Sequence, residues 1–307
     1  MPSTLSLVIP FLRYEQELES ELLLCQSKIL DKNSHYLLVS NLNSKPIWAQ
    51  EVCLEVATHK FTNKSEALKI LKSQTNLGCF IPSPYHTKLS SSLRSEMREL
   101  NLKRIKFEVP NNFKFNYFTW TLSKEGDLLI SHLPQSRFPL GWHEFNEDKE
   151  TPPNRAYLKL WEVLALNYIQ LSPNDVAIDV GSCPGGWTWV LSQQIAKVYS
   201  VDKAPLDSKI ANIKNVKYSS EDAFNLDPKK FSDCTWLFSD IICTPQRLLE
   251  LVNNWRQNSD VKNYVCTIKF KGACDFDIMN EFLKISHSRI IHLYQNKNEV
   301  TWIRQEP

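Results

Sequence analysis

Glycine is rare in this chain, 7 residues in 307, and other scarcities exclude whole classes of protein. The eight cysteines (Cys25, Cys53, Cys79, Cys183, Cys234, Cys243, Cys266 and Cys274) include no C-x-x-C pair. Zinc-site spacing is therefore lacking and nothing indicates a disulfide framework. No apolar run approaches the roughly 18 residues that a bilayer span needs. No charged segment followed by an apolar core and cleavage site opens the chain, so no signal peptide is expected and a cytoplasmic protein is predicted, without membrane or metal partners. A net charge of +2 supplies no global field for a polyanion. Repeats and low-complexity stretches are missing as well. With 42% apolar and 23% charged residues, the composition is that of a globular chain with room for two domains. A monomer is expected.

Charge is nevertheless uneven. Between Lys88 and Lys114, seven basic residues (Lys88, Arg94, Arg98, Lys103, Arg104, Lys106 and Lys114) stand against three acids (Glu96, Glu99 and Glu108). Such a stripe either neutralises phosphates or is a solvated face. The surrounding residues, 1–140, read as an α+β domain. "LSLVIP" and "SHYLLVSNL" are strands, and "YEQELESELLLCQSKIL" is a helix with acids early and lysine late. "SEALKILKS" opens on Ser65 as its cap, and "KLSSSLRSEMREL" is a helix bearing part of the stripe. "RIKFEV", "FKFNYFTWTL" and "DLLISHL" alternate at period two, as half-buried antiparallel strands do. Phe113, Phe115, Tyr117 and Trp120 share that period, which favours sheet core over base stacking. Residues 141–155, polar and acidic with Pro152–Pro153, read as a linker or a loop over a site.

From Arg155 the pattern changes. "AYLKLWEVLALNYI" is an amphipathic helix. "DVAIDV", "KVYSVD", "VKYSS", "TWLFSD" and "NYVCTIKF" are short apolar strands, with helical stretches such as "TPQRLLELVNNW" between them. This alternation predicts a parallel sheet covered on both faces. "SRIIHLYQNKNEVTWIR" reads as two strands joined by a tight polar turn. The predicted fold over 156–307 is thus α/β and Rossmann-like, a mostly parallel seven-stranded sheet ending in an antiparallel hairpin. A doubly wound sheet with that ending is typical of S-adenosylmethionine-dependent methyltransferases.

Three of the seven glycines, Gly181, Gly185 and Gly186, fall within "DVGSCPGGWTWVL", residues 179–191. Clustered glycine marks close backbone approach or a positive φ. In doubly wound sheets ligands bind at the carboxyl ends of strands. Gly181 ends the first strand of this half, and Cys183, Pro184, Gly185 and Gly186 turn into a helix. Asp202 ends the second strand, where an acid commonly holds two ribose hydroxyls. Asp222 follows the third, where a carboxylate can accept from an adenine amino group, and Asp240 ends the fourth. A nicotinamide dinucleotide needs the pyrophosphate cradle G-x-G-x-x-G. Here the loop reads G-S-C-P-G-G, and its proline removes an amide donor. A phosphate-free cofactor, S-adenosylmethionine, fits better.

Methyl transfer to oxygen needs a base, because a hydroxyl is a poor nucleophile. Lys269 ends the fifth strand on the rim that Asp240 occupies. A lysine at its reference pKa of about 10.4 serves only if desolvation and a nearby like charge favour its neutral form. Lys159 is a candidate for that charge, and Glu299 is a further polar group in reach of the sheet end.

In order and context Lys159, Asp240, Lys269 and Glu299 resemble the Lys-Asp-Lys-Glu tetrad of FtsJ-like RNA 2′-O-ribose methyltransferases. "FPLGW", "NRAYLKLWEVL", "DVGSCPGGWTWVL", "VYSVD", "EDAF" and "LYQNKNEVTW", spread over 138–304, are similar to the bacterial large-subunit rRNA 2′-O-ribose cytidine methyltransferases. The resemblance implies that Lys269 accepts the proton of the ribose 2′-hydroxyl while Asp240, Lys159 and Glu299 orient it. It implies a methionine subsite from Gly181, Cys183, Pro184, Gly185, Gly186 and Trp187. Asp202 would serve the cofactor ribose and Asp222 the adenine, with Asp240 also touching the cofactor. It further implies a THUMP-like RNA-binding domain in residues 1–140. Where that family has a serine this chain has Ala156, so contact there must come from backbone. Two rivals stay open: a related enzyme for tRNA or an mRNA cap, and a non-enzymatic RNA-binding protein that keeps the fold.

Overall fold

A computed structural model describes residues 4–98, 100, 103–105, 107 and 115–307. These form two compact units, one holding the described residues up to 105 and from 115 to 144, the other Phe107 and residues 145–307.

The first unit runs through β1 (Leu5–Pro10), α1 (Glu15–Leu24), β2 (Lys28–Lys32), β3 (Leu37–Ser40), β4 (Ala49–Leu54) and β5 (Ala57–His59). It continues with α2 (Lys64–Lys72), β6 (Leu77–Phe80), α3 (Thr87–Arg94), β7 (Tyr117–Leu122), β8 (Leu128–Ser131) and β9 (Leu133–Pro134). An antiparallel sheet has the order β2-β3-β1-β4-β9, and a second has the order β5-β8-β7-β6. Leu71, Leu93, Phe118, Trp120 and Ile130 form the core between the second sheet and its helices. Glu51 is wholly buried, yet its carboxylate accepts from the Tyr117 hydroxyl (2.8 Å) and from the Val52, Gln135 and Ser136 amides.

Several local expectations are corrected here. The helix expected through Leu30 stops at Leu24, because Gln26 takes φ of 59° and Lys28–Lys32 pairs with β3 as a strand. Asn63, not Ser65, caps α2, its side chain accepting from the Glu66 amide at 3.0 Å. Tyr117 and Trp120, by contrast, are buried in the sheet core as expected. Glu99, Lys106, Glu108, Phe113, Lys114 and half of "RIKFEV" lie outside the described residues.

In the second unit α4 (Tyr157–Ala165) precedes β10 (Val176–Val180), α5 (Gly186–Ser192), β11 (Lys197–Val201), α6 (Ser208–Ala211) and β12 (Val216–Ser219). Then come β13 (Trp236–Ser239), α7 (Pro245–Asn258), β14 (Asn263–Lys269), α8 (Phe276–Leu283), β15 (Ser288–Ile291) and β16 (Glu299–Arg304). The sheet order is β12-β11-β10-β13-β14-β16-β15. Strands β10 to β14 run parallel, and β16 is antiparallel to both β14 and β15. Ile178, Leu237, Phe238, Val265 and Ile268 are fully buried, as a sheet covered on both faces requires. The strand order reverses beside β10, which opens a crevice at the carboxyl ends of β10, β11 and β13. The link from β15 to β16 is no tight turn: it spans residues 292–298, held where Glu162 of α4 accepts from the Tyr294 and Gln295 amides (2.7 and 3.1 Å). No helix among the described residues is long and apolar enough to cross a membrane.

Candidate active site

The glycine loop owes its composition to backbone shape and to lack of space. Gly181 has φ of +74° and Gly185 φ of +112°, a region that L side chains rarely adopt. A Cβ on Gly181 would also lie 2.6 Å from the Ile241 side chain. Beneath the loop runs a buried polar chain. Thr188 Oγ1 donates to Asp179 Oδ2 at 2.7 Å and lies 2.8 Å from Ser200 Oγ, which donates to Ser182 Oγ at 2.8 Å. Burial raises the Asp179 pKa to about 7, against the opposing Thr188 hydrogen bond and with Asp240 and Asp202 adding to the rise.

Each acid predicted from a strand end stands on one cleft of about 470 Å³, together with Gly181, Cys183 and Lys269. Asp202 ties two strand ends together, accepting from the Cys183 amide at 3.0 Å and from the Ala204 amide at 2.9 Å. Lys203 pairs with Asp222 at 2.8 Å. That contact, with the Phe224 amide, holds the Asp222 carboxyl below the usual carboxylate range. Burial and Asp202 push the Cys183 thiol up, so the cleft presents no ready thiolate. Pro184, Gly185, Gly186 and Trp187 do not line the cleft. Trp187 is buried, and its indole donates to the Ala156 carbonyl at 2.9 Å, so that backbone acceptor is already engaged.

Four charged side chains meet where Asp240 and Lys269 line this cleft, with Lys159 and Glu299 behind them. Lys159 on α4 donates to both Asp240 oxygens (2.9 and 3.0 Å) and pairs with Glu299 at 2.6 Å. Lys269 forms an ion pair with Asp240 Oδ1 at 3.0 Å and donates to the Asp240 carbonyl at 2.6 Å. Strand register explains the meeting, because antiparallel pairing sets Lys269 opposite Glu299. Parallel pairing of β13 with β14 likewise carries Asp240, just past Ser239, to the same end. Burial works against charge on Lys159, but Asp240 and Glu299 outweigh it and raise its pKa. The balance favours the ammonium form of Lys159.

Sequence reasoning missed Asn154, Lys203, Glu221, Phe224, Ile241, Ile242 and Arg247, all of which line the cleft. Arg247 lies with its guanidinium 3.7 Å over the Phe224 ring. Lys203 and Glu221 adjoin Asp202 and Asp222 in sequence and could have been inferred from them. Arg247, in the first turn of a helix with no motif, gave no signal.

Residues 152–277 match the FtsJ-like methyltransferase family. That segment of this chain is similar to FtsJ-like methyltransferases. Over 174 residues the chain is 30% identical to the ribosomal RNA large subunit methyltransferase M of Shewanella sp. (strain ANA-3), covering 50% of this chain and 48% of that protein. A protein of the same name from Pseudoalteromonas atlantica is 30% identical over 184 residues, covering 54% of this chain and 51% of its own. The chain thus spans about half the length of the curated relatives it matches. A solved rRNA methylase structure from Streptococcus thermophilus is 13% identical with a TM-score of 0.33, covering 44% of this chain and 89% of that one. Within the matched segment fall Lys159, Asp240, Lys269 and the whole glycine loop, while Glu299 lies beyond the matched residues.

Proposed function

We propose that this protein methylates the ribose 2′-hydroxyl of RNA, using S-adenosylmethionine, with a cytidine of large-subunit rRNA as the target. One observation carries the reading: two lysines are bridged by one aspartate, and one of them also by a glutamate, where Asp240 and Lys269 line an acid-bearing cleft. The names of the relatives favour large-subunit rRNA over tRNA or an mRNA cap.

The residues present suit the cofactor. Asp202, Glu221, Asp222 and Asp240 line the cleft, carboxylates that suit ribose hydroxyls, an adenine amino group and a positively charged sulfonium. When bound, S-adenosylmethionine supplies an electrophilic methyl group. Asp202 would hold the ribose hydroxyls and Asp222 the adenine amino group, with Gly181 and Cys183 beside the methionine end. Lys269 would take the proton from the 2′-hydroxyl. The ion pair with Asp240 Oδ1 and the hydrogen bond to the Asp240 carbonyl fix the Lys269 amine on the lining of the cleft. Lys159, charged and fixed by Asp240 and Glu299, holds Asp240 in place beside Lys269. Rate enhancement would come mainly from orientation of the oxygen toward the methyl group. The described part of the basic stripe, above all Arg94 and Arg98, would make the first unit an RNA-binding, THUMP-like module.

The test is transfer of labelled methyl groups to large-subunit rRNA transcribed in vitro, followed by alkaline hydrolysis. A 2′-O-methyl product yields an alkali-resistant dinucleotide. Label recovered only in mononucleotides would place the methyl on a base and refute the reading.

A further inference from the structure

The cleft carries charges of both signs. Asp202, Glu221 and Asp222 line it together with Lys203, whereas Lys269 and Arg247 are cations among lining residues that also include the apolar Ile241 and Ile242. Ile242 is 87% exposed, two residues beyond the aspartate that holds Lys269. A large apolar side chain left bare in a functional cleft marks a surface for an apolar ligand group. Its mounting is fixed at both ends. On one side the Ile241 amide donates to Ser239 Oγ at 3.4 Å. On the other, Thr244 caps α7 by accepting from the Arg247 amide at 3.3 Å. Arg247 itself is exposed, with the Phe224 ring under its guanidinium, which aligns that plane.

An apolar contact and an adjacent oriented guanidinium match the two chemistries of a nucleotide, its base and its phosphate. The acids suit a phosphate-free ligand and the two cations a phosphate-bearing one. We propose that Ile242 and Arg247 seat the acceptor nucleotide. Ile242 packs against its base, and Arg247 pairs with its phosphate while the ribose hydroxyl faces Lys269. This inference rests on the RNA reading above.

The experiment compares Ile242→Ala and Arg247→Ala with the wild type for equilibrium binding of in vitro transcribed large-subunit rRNA and of S-adenosylhomocysteine. Removing three carbons of Ile242 should weaken RNA binding roughly tenfold, with the homocysteine ligand bound as tightly as before. Arg247→Ala should weaken RNA binding and lower the salt slope by about 1, and Arg247→Lys should restore most of the affinity. Wild-type RNA affinity in both alanine variants would overturn the proposal. So would a parallel loss of S-adenosylhomocysteine affinity, which would put both residues at the cofactor instead. Should the wild type bind RNA without methylating it, the enzymatic reading fails and the affinity comparison still decides the seat. A wild type that binds no RNA sinks both.

Discussion

At the scale of single residues, carboxylates do most of the organising. Asp202 and Asp240 each hold two groups in register, and Asp179 supports the glycine loop from below. Asp179 also makes a prediction about pH. Its folded pKa is raised to about 7, above the unfolded value near 3.9, so between those values the folded state binds a proton that the unfolded state has released. Stability contributed by that proton is complete below the unfolded value and is lost as pH rises through 7. Asp179→Asn, which keeps an acceptor for Thr188, should therefore lose less stability than the wild type between about pH 5 and pH 8 in denaturant titrations. Equal slopes in the two proteins would contradict this. That Asp202, Asp222 and Asp240 share a cleft was legible in the sequence, since each follows a short apolar run that had to be a strand. Ile242 and Arg247 were not legible, because an exposed isoleucine and a first-turn arginine become informative only once the cleft around them is known.

At the scale of elements, burial on both faces made the parallel strands readable and tertiary contacts hid the others. Strand β4 carries Glu51, whose burial depends on donors more than 65 residues away and defeats any local alternation. Strand β2 reads as helix because lysine, leucine and aspartate alternate there without an apolar face. The long link before β16 depends on Glu162, one helical turn from Lys159. Glu162→Ala would leave the half-buried Tyr294 and Gln295 amides without their acceptor, costing about 1 kcal/mol. Because that link leads straight into Glu299, methyl transfer should fall as well. Unfolding free energy and transfer rate, measured on the same preparation, check both effects. Unchanged stability would show that water or another acceptor replaces the carboxylate.

At the scale of the whole molecule, two units divide the labour proposed here: chemistry in the second, RNA capture aided by the first. Charge reversal at Arg94, Arg98, Lys103 and Arg104 should weaken rRNA binding and flatten its salt dependence, while S-adenosylhomocysteine affinity stays at the wild-type value. Arg104 contributes least to this, since Glu144 already pairs with it at 3.1 Å. Identical binding curves would return the stripe to a solvated face. The most direct measurement of all is methyl transfer to rRNA by Lys269→Met, which keeps the length of the side chain and removes the amine. Loss of a general base predicts a fall of about 100-fold or more with S-adenosylhomocysteine still bound. Transfer at the wild-type rate would mean that Lys269 takes no proton.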